Sequence, residues 1–104
     1  MNIINLTTRT ITEVNTHQVF KPAGLPVRLD TSSRQISLID NIPIYTKYNA
    51  IVKDLPEEKE GTFYIVCGVM LNQIKRLGRT DFISPGQAVR DSSGKIIGCN
   101  GFLR

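Results

Sequence analysis

The sequence is poor in the side chains that most often carry chemistry. It has no tryptophan, two cysteines and a single histidine, His17. Cys67 and Cys99 form neither a C-x-x-C motif nor a pair with the histidine, and a structural zinc site needs about four ligands of this kind. A zinc site built within one chain is therefore excluded, and no cofactor is expected. Both cysteines lie in apolar stretches, so we expect buried free thiols, with a disulfide only in an exported protein.

Patterns typical of membrane proteins and nucleic-acid readers are also missing. No apolar run approaches the roughly 18 residues that a membrane helix needs, and residues 1–5 do not resemble the start of a signal peptide. We therefore expect a cytoplasmic protein with no membrane partner. The sequence has no helix-turn-helix, zinc-finger or RNP-like aromatic motif, and its net charge of +4 is modest. Binding to duplex nucleic acid is not expected.

Groups suited to acid–base or nucleophilic catalysis are scarce. The sequence places no carboxylate or nucleophile in a defined relation to His17. Three glutamates fall within segment 54–61, which also contains a proline and ends in glycine, a composition typical of a solvated surface loop. Phosphate-binding loops with G-x-x-x-x-G-K-[ST] or G-x-G-x-x-G spacing are absent. The chain is therefore expected not to be an enzyme.

The composition that is present predicts one small globular domain. A length of 104 residues with 40% hydrophobic residues fits a single domain over residues 1–104. Short β-branched stretches separated by glycine, proline and asparagine predict about eight short strands. The predicted fold is α+β, a mostly antiparallel and curled β-sheet packed with one α-helix near residues 69–77. The core of such a chain is small, so self-association would stabilise it.

Local turn chemistry gives more detailed expectations. Segments 3–7 and 10–14 are predicted to pair as an opening hairpin. Segment 62–67 is apolar almost throughout, which predicts a central strand covered on both faces. Segment 84–86, with the sequence Ser-Pro-Gly, is predicted as a β-turn, and segment 91–94 as the loop of a second hairpin.

The middle of the chain shows alternating apolar and polar residues. This alternation predicts strands at 27–30 and 35–40, each with one face in the core and the other in water. Segment 42–48 is predicted as a strand that lies at an edge or begins at Pro43, because proline cannot donate a ladder hydrogen bond.

The excess of positive charge lies in the last third of the chain. Residues 1–68 carry seven charges of each sign, whereas residues 69–104 carry six cations and two acids. A local positive field attracts anions, and arginine offers forked donors that match phosphate oxygens. We therefore predict a ligand-binding set composed of Asn72, Arg76, Arg79, Arg90 and Asp91. Two alternatives remain open: Arg90 and Asp91 frame a hairpin, and the helix cations complement the helix dipole.

Several short motifs carry a resemblance. They are Asn5-Leu6-Thr7, Tyr64-Ile65-Val66, Arg79-Thr80-Asp81, Ser84-Pro85-Gly86 and Val89-Arg90-Asp91, followed by Gly94 and Ile96-Ile97-Gly98. With these motifs the chain resembles a group of small uncharacterised proteins carried by phages, prophages and some bacteria. In its general design the chain is similar to phage anti-defence proteins that sequester nucleotide immune signals, such as those acting against Thoeris or cyclic-oligonucleotide systems. The similarity implies ligand sequestration without turnover.

Two functions are therefore expected as alternatives. The first is a phage-type, non-enzymatic homo-oligomer that sequesters a small phosphorylated ligand, such as a cyclic nucleotide-derived signal, between its subunits and so inhibits anti-phage immunity. The second is a protein-interaction module. It would be a phage accessory or virion protein, or an inhibitor that docks on an acidic host protein through the basic face.

Overall fold

The strands of the molecule form a barrel-like sheet and a separate two-stranded arm. The computed structural model describes residues 1–24 and 26–104. In these residues the elements follow in the order β1 (Asn2–Asn5), β2 (Ile11–Glu13), β3 (Gln18–Phe20), β4 (Arg28–Ile39), β5 (Ile42–Lys53), β6 (Thr62–Ile65), α1 (Gly68–Lys75), β7 (Phe82–Arg90) and β8 (Ile96–Leu103).

Six of these strands form one curled sheet in the order β1-β6-β7-β8-β2-β3. The pairs β1–β6, β6–β7 and β2–β8 are parallel, and the pairs β7–β8 and β2–β3 are antiparallel. After β3 the chain returns to β1: Asn5 bridges Pro22, and the amide of Ala23 donates to the carbonyl oxygen of Asn5 at 2.8 Å. The sheet is thus nearly closed into a barrel.

The fold confirms a strand-rich domain with a curled sheet and a helix, but the prediction of a mostly antiparallel sheet is wrong. Strands β6 and β7 run parallel because α1 connects them as a crossover, the usual way to join parallel strands. The opening hairpin is also wrong, because β1 pairs with β6 and not with β2. Both errors concern pairings between segments far apart in the sequence.

Helix α1 lies one to two residues from its predicted position. It spans Gly68–Lys75, and its buried residues are Leu71 and Ile74. A glycine in the left-handed conformation follows the helix, since Gly78 has a φ of 80° and its amide donates to the carbonyl oxygen of Lys75 at 3.1 Å. Among the described residues, no helix has the length and apolar character that crossing a membrane would require.

The core lies between α1, β6 and β7. As predicted, β6 is covered on both faces, because the successive residues Tyr64 and Ile65 are both buried. Tyr64 belongs to a buried cluster that also contains Leu6, Val27, Val66, Leu71, Ile74 and Phe82. Beyond it, the hairpin loop at 91–94 is confirmed, with Gly94 at a φ of 85°.

The predicted turn at 84–86 is wrong, because these residues lie inside β7. Pro85 pairs with Phe102 on β8. Gly86 allows the backbones of the two strands to approach closely, since a Cβ at this position would collide with the carbonyl oxygen of Asn100. The Pro-Gly sequence therefore does not reverse the chain at this position. It allows β7 and β8 to pack closely.

The second sheet is a long arm made of β4 and β5 alone. Its antiparallel register runs from the Arg28–Lys53 pair to the Ile39–Ile42 pair, with two irregularities. Asp40 and Asn41 form the reversal with φ values of 48° and 63°, as a tight two-residue hairpin requires. The segments predicted as separate half-buried strands thus form one continuous, largely exposed arm.

The arm makes the molecule more extended than a compact domain. The radius of gyration is 16.7 Å, against about 13 Å for a compact chain of this length. Twelve residues of strand reach roughly 40 Å, so the arm is comparable in length to the two larger dimensions of the molecule, 50 and 40 Å.

Candidate functional site

Asn72 and Arg76 lie on the exposed side of α1. They are separated by one helical turn, so their side chains lie on the same face. Both are exposed, and neither side chain makes a hydrogen bond or ion pair within the described residues. Of the five predicted ligand-binding residues, these two have side chains free to contact a ligand.

Arg79 is engaged inside the protein. Its Nε and Nη2 donate to the two carboxylate oxygens of Asp81 at 2.9 and 2.8 Å, and Nη2 also donates to the carbonyl oxygen of Pro56 at 2.9 Å. The guanidinium carbon lies 5.0 Å from the centre of the Phe82 ring. The side chains of Arg79 and Asp81 are only 17% and 7% exposed. The hydrogen bond to Asp81 raises the pKa of Arg79 further, so this arginine anchors the 54–61 loop as a permanent cation.

Arg90 and Asp91 form the turn between β7 and β8. Oδ1 of Asp91 accepts hydrogen bonds from the hydroxyl and amide of Ser93 and from the amide of Lys95, at 2.6, 2.9 and 3.0 Å. These contacts, that of the Ser93 hydroxyl first, lower the pKa of Asp91. Nη1 of Arg90 donates to the carbonyl oxygen of Gly94 at 2.8 Å. The hydrogen bonds of both side chains therefore stabilise the turn between β7 and β8.

The five predicted residues do not meet within one chain. Arg79 precedes β7 and Arg90 ends it, and a nine-residue strand spans roughly 26 Å. Three cavities among the described residues have volumes of about 240, 200 and 460 Å³, and none of the five residues lines them. Their binding role stays a prediction, and a shared site would have to combine residues from several chains.

The histidine and the two cysteines differ in their exposure. His17 is exposed in the turn between β2 and β3, at a φ of 60°. Cys99 is buried, as predicted, and burial raises the pKa of its thiol, but Cys67 is exposed, so that half of the thiol prediction is wrong. No three or more His, Cys, Asp or Glu side chains cluster there as a metal site would need.

Glu13, on β2, is a buried carboxylate with its oxygens fully engaged. It accepts hydrogen bonds from the amides of Gly101 and Thr16 at 2.8 and 2.9 Å, and from Nδ2 of Asn15 at 2.9 Å. The Gly101 contact is the largest cause that lowers the pKa of Glu13, which falls to about 2 although burial raises it. The carboxylate is therefore ionised at neutral pH and holds β2 against β8, with no free oxygen to act as a base.

The arm carries the most unusual surface of the molecule. Seven large apolar side chains along it are between 44% and 60% exposed: Ile36, Leu38, Ile39, Ile42, Tyr45, Tyr48 and Ile51. Scattered apolar residues are normal on a protein surface, whereas a contiguous exposed group marks an interaction site. The arm is therefore the candidate functional surface.

Both faces of the arm are apolar. Side chains alternate between faces along a strand, and cross-strand partners share a face. The Ile39–Ile42 pair therefore lies on one face and the next pair, Leu38–Pro43, on the other. On the first face Arg34 lies over the Tyr48 ring, 5.8 Å from its centre. A two-stranded sheet that exposes apolar groups on both faces is marginal in water unless something packs against it.

The base of the arm is fixed to the barrel. Val27 is buried in the core, and Val52 packs against the same cluster. Two exposed ion pairs flank this attachment, Arg28 with Asp54 at 2.8 Å and Lys53 with Asp30 at 2.7 Å. The attachment gives the arm a defined origin on the barrel.

Sequence reasoning missed the arm as a functional surface. Its strands were detectable from their alternation, and Asp40-Asn41 between two β-rich runs is a tight hairpin signal. What could have revealed its exposure is the presence of isoleucine, leucine and tyrosine at both even and odd positions of 36–45, since a half-buried strand carries them on one face only.

Comparison with known proteins adds no further constraint on this surface. The chain matches no protein-family model, no curated protein sequence and no solved structure.

Proposed function

We propose that this chain is a non-enzymatic protein-interaction module that acts as a homo-oligomer, with the β4–β5 arm as its contact surface. The observation that carries the proposal is the group of seven exposed apolar side chains on the arm. Burying a side chain of this kind contributes about 1.5 to 3 kcal/mol. Covering the exposed part of all seven would contribute roughly 6 to 12 kcal/mol before the cost of association is subtracted.

The total surface area supports an assembled state. The chain exposes 7535 Å², whereas a compact monomer of its 11.6 kDa mass exposes about 5,800 Å². The excess of roughly 1,700 Å² per chain exceeds the approximately 800 Å² that each partner buries in a standard interface. An obligate oligomer buries surface on this scale, which is why the partner proposed here is a second copy of the chain.

The proposed setting is the cytoplasm of a bacterial host in which a phage or prophage supplies the protein. The resemblance of the short motifs to phage-borne proteins supports the source. Exposed Cys67 and buried Cys99 are both free thiols, which fits a reducing compartment.

The oligomeric state tests the proposal. Light scattering coupled to gel filtration, at micromolar concentrations, is expected to give a mass that is a multiple of 11.6 kDa. Ile36→Asp places a charge on the arm and is expected to shift the mass towards that of a single chain. Leu77→Asp is the matched control, because Leu77 is an equally exposed apolar residue outside the arm. A wild-type protein that stays a single chain would overturn the proposal.

Sequestration of a small phosphorylated ligand remains a second candidate. Asn72 and Arg76 favour it, since both are exposed on one face of α1 without hydrogen bonds or ion pairs in the described residues. An oligomer could bring several copies of this pair, together with Arg90, around one ligand.

Calorimetry separates this candidate from protein interaction alone. Titration with a panel of cyclic nucleotides and ADP-ribose derivatives should release binding heat that Arg76→Ala removes, while oligomeric mass is unchanged. Absence of heat with the whole panel would reject nucleotide sequestration and leave the interaction module standing.

A further inference from the structure

The tip of the arm exposes a group of apolar side chains. Leu38, Ile39 and Ile42 are 59–60% exposed there, next to exposed Pro43. Both residues of the reversal, Asp40 and Asn41, have positive φ values, which match the natural twist of paired strands. Hairpin ends that are exposed to water usually consist of polar residues. Here only the two turn residues are polar, and the residues on both sides of them are apolar.

A groove of complementary character lies on the barrel between β2, β7 and β8. Its volume is about 240 Å³, and its lining includes Ile11, Pro85, Ala88, Ile96, Ile97 and Cys99. No lining residue carries a formal charge. Ile96 and Ile97 are still about half exposed at its rim, so an occupant would remove further apolar surface from water.

The other two cavities match the tip less well. The cavity of about 460 Å³ is lined in part by Asp54 and Lys59, whose charges an apolar occupant would desolvate. The cavity of about 200 Å³ has Val27 and Val66 in its lining, which are already buried. The groove between β2, β7 and β8 thus gains the most from being covered.

The arm of the same chain does not occupy the groove. All of its lining residues belong to the barrel, and none comes from β4 or β5. The arm instead starts at Val27 and Val52, which pack on the cluster around β6 and α1. In the order of the sheet, β8 lies three strands from β1 in either direction around the nearly closed barrel.

We infer that the arm tip of one copy inserts Ile39 and Ile42, which form a cross-strand pair on one face of the arm, into the groove between β2, β7 and β8 of a second copy. The inference rests on the proposed self-association through the arm and adds the surface that receives it. A groove of about 240 Å³ accommodates one or two aliphatic side chains, since a cavity of about 150 Å³ already holds benzene.

Each chain then has a donor surface and a different acceptor surface. Two chains satisfy both by exchanging arms, and more chains satisfy them in a closed ring. In either case, a chain with a damaged tip keeps an intact groove, and a chain with a damaged groove keeps an intact tip. This asymmetry distinguishes tip insertion from side-by-side pairing of two arms.

Mixing two variants tests the inference. Ile39→Asp charges the tip and Ile97→Asp charges the groove, and each is expected to weaken self-association at least tenfold, the scale of a central interface residue. When the two are mixed in equal amounts, the tip of the groove variant can enter the groove of the tip variant, so hybrid assemblies should form. Val69→Asp is the control, because Val69 is exposed on α1 away from both surfaces. Circular dichroism and thermal unfolding check that each variant is folded.

The outcomes distinguish this inference from the broader proposal. Loss of assembly in both single variants with recovery on mixing supports tip insertion. If Ile97→Asp assembles as the wild type does while Ile39→Asp does not, the arm mediates association without this groove, and the inference is overturned alone. A wild-type chain that remains single overturns both.

Discussion

Nδ2 of Asn5 donates a hydrogen bond of 2.8 Å to the carbonyl oxygen of Phe20, and so links the end of β1 to the end of β3. The same amide nitrogen reaches the carbonyl oxygen of Arg9 at 2.7 Å, while Oδ1 accepts from the amide and hydroxyl of Thr7 at 2.9 and 2.6 Å. Asn5 is only 1% exposed. One side chain therefore satisfies four polar groups where the sheet returns on itself.

Replacing Asn5 should weaken the contact between the ends of β1 and β3. Asn5→Leu keeps the branching at Cγ but leaves the Arg9 and Phe20 carbonyl groups and the Thr7 amide without their partner, so we expect a loss of about 2 to 4 kcal/mol in the free energy of unfolding. Urea denaturation followed by circular dichroism measures it. Thr8→Ala, at a neighbouring exposed position, should change stability by less than about 0.5 kcal/mol. Equal stability of both variants would contradict the role given to Asn5.

Glu13 should make the free energy of unfolding depend on pH. Its pKa is about 2 in the folded protein against an ordinary glutamate pKa of 4.5, so the folded state favours the charged form. Its contribution is complete above about pH 4.5 and is lost as the pH falls through 2. Glu13→Gln should therefore be less stable than wild type at pH 7, and this difference should narrow at acidic pH.

Denaturation midpoints measured between neutral and acidic pH show whether the difference narrows. Glu60→Gln serves as the control, since Glu60 is an exposed loop carboxylate outside the hydrogen bonds found in the described residues. A difference between Glu13→Gln and wild type that stays constant with pH would show that the carboxylate charge is not what matters.

Arg79 should be needed for folding stability. Lysine cannot reproduce the two parallel bonds to Asp81 together with the bond to the Pro56 carbonyl group. Arg79→Lys is expected to cost about 1 to 2 kcal/mol in the free energy of unfolding, because the pair is largely buried. Arg76→Lys, on the exposed side of α1, should cost less than about 0.5 kcal/mol. Chemical denaturation measures the free energy of unfolding of both variants. Equal losses would show that the contacts of Arg79 do not stabilise the fold.

Gly98 should tolerate no side chain. A Cβ there would lie 2.6 Å from the carbonyl oxygen of Thr12 and 2.8 Å from Cγ1 of Val14. Because the nearest atom is backbone, β2 and β8 would have to separate, and we expect Gly98→Ala to cost about 2 kcal/mol or more. Gly68→Ala is the matched control, since a Cβ there meets nothing within 4 Å and alanine favours the helix. Thermal unfolding of both variants should lower the Tm for Gly98→Ala only.

The sequence predicted the elements whose causes are local. The loop at 91–94 follows from Asp91, which caps amides two and four residues ahead, and from a glycine at positive φ. The end of α1 follows from Gly78 in the same way. Parallel pairing of β1 with β6 was not predictable, because it depends on contacts between segments about sixty residues apart.

The candidate site was less predictable than the fold. Charge asymmetry pointed to Arg79, yet its carboxylate partner is two residues away, so the charge is neutralised locally. Alternation along 35–40 predicted a strand correctly, but alternation does not specify what covers each face. The arm is exposed because the six-stranded sheet contains neither β4 nor β5.

The pairing pattern also sets the order in which a newly made chain can acquire structure. The arm pairs two strands that are neighbours in the sequence, whereas the pairing of β2 with β8 joins Glu13 to Cys99. During synthesis, contacts between near neighbours form before those between distant ones. The exposed apolar side chains of the arm therefore emerge from the ribosome before the strands that close the barrel.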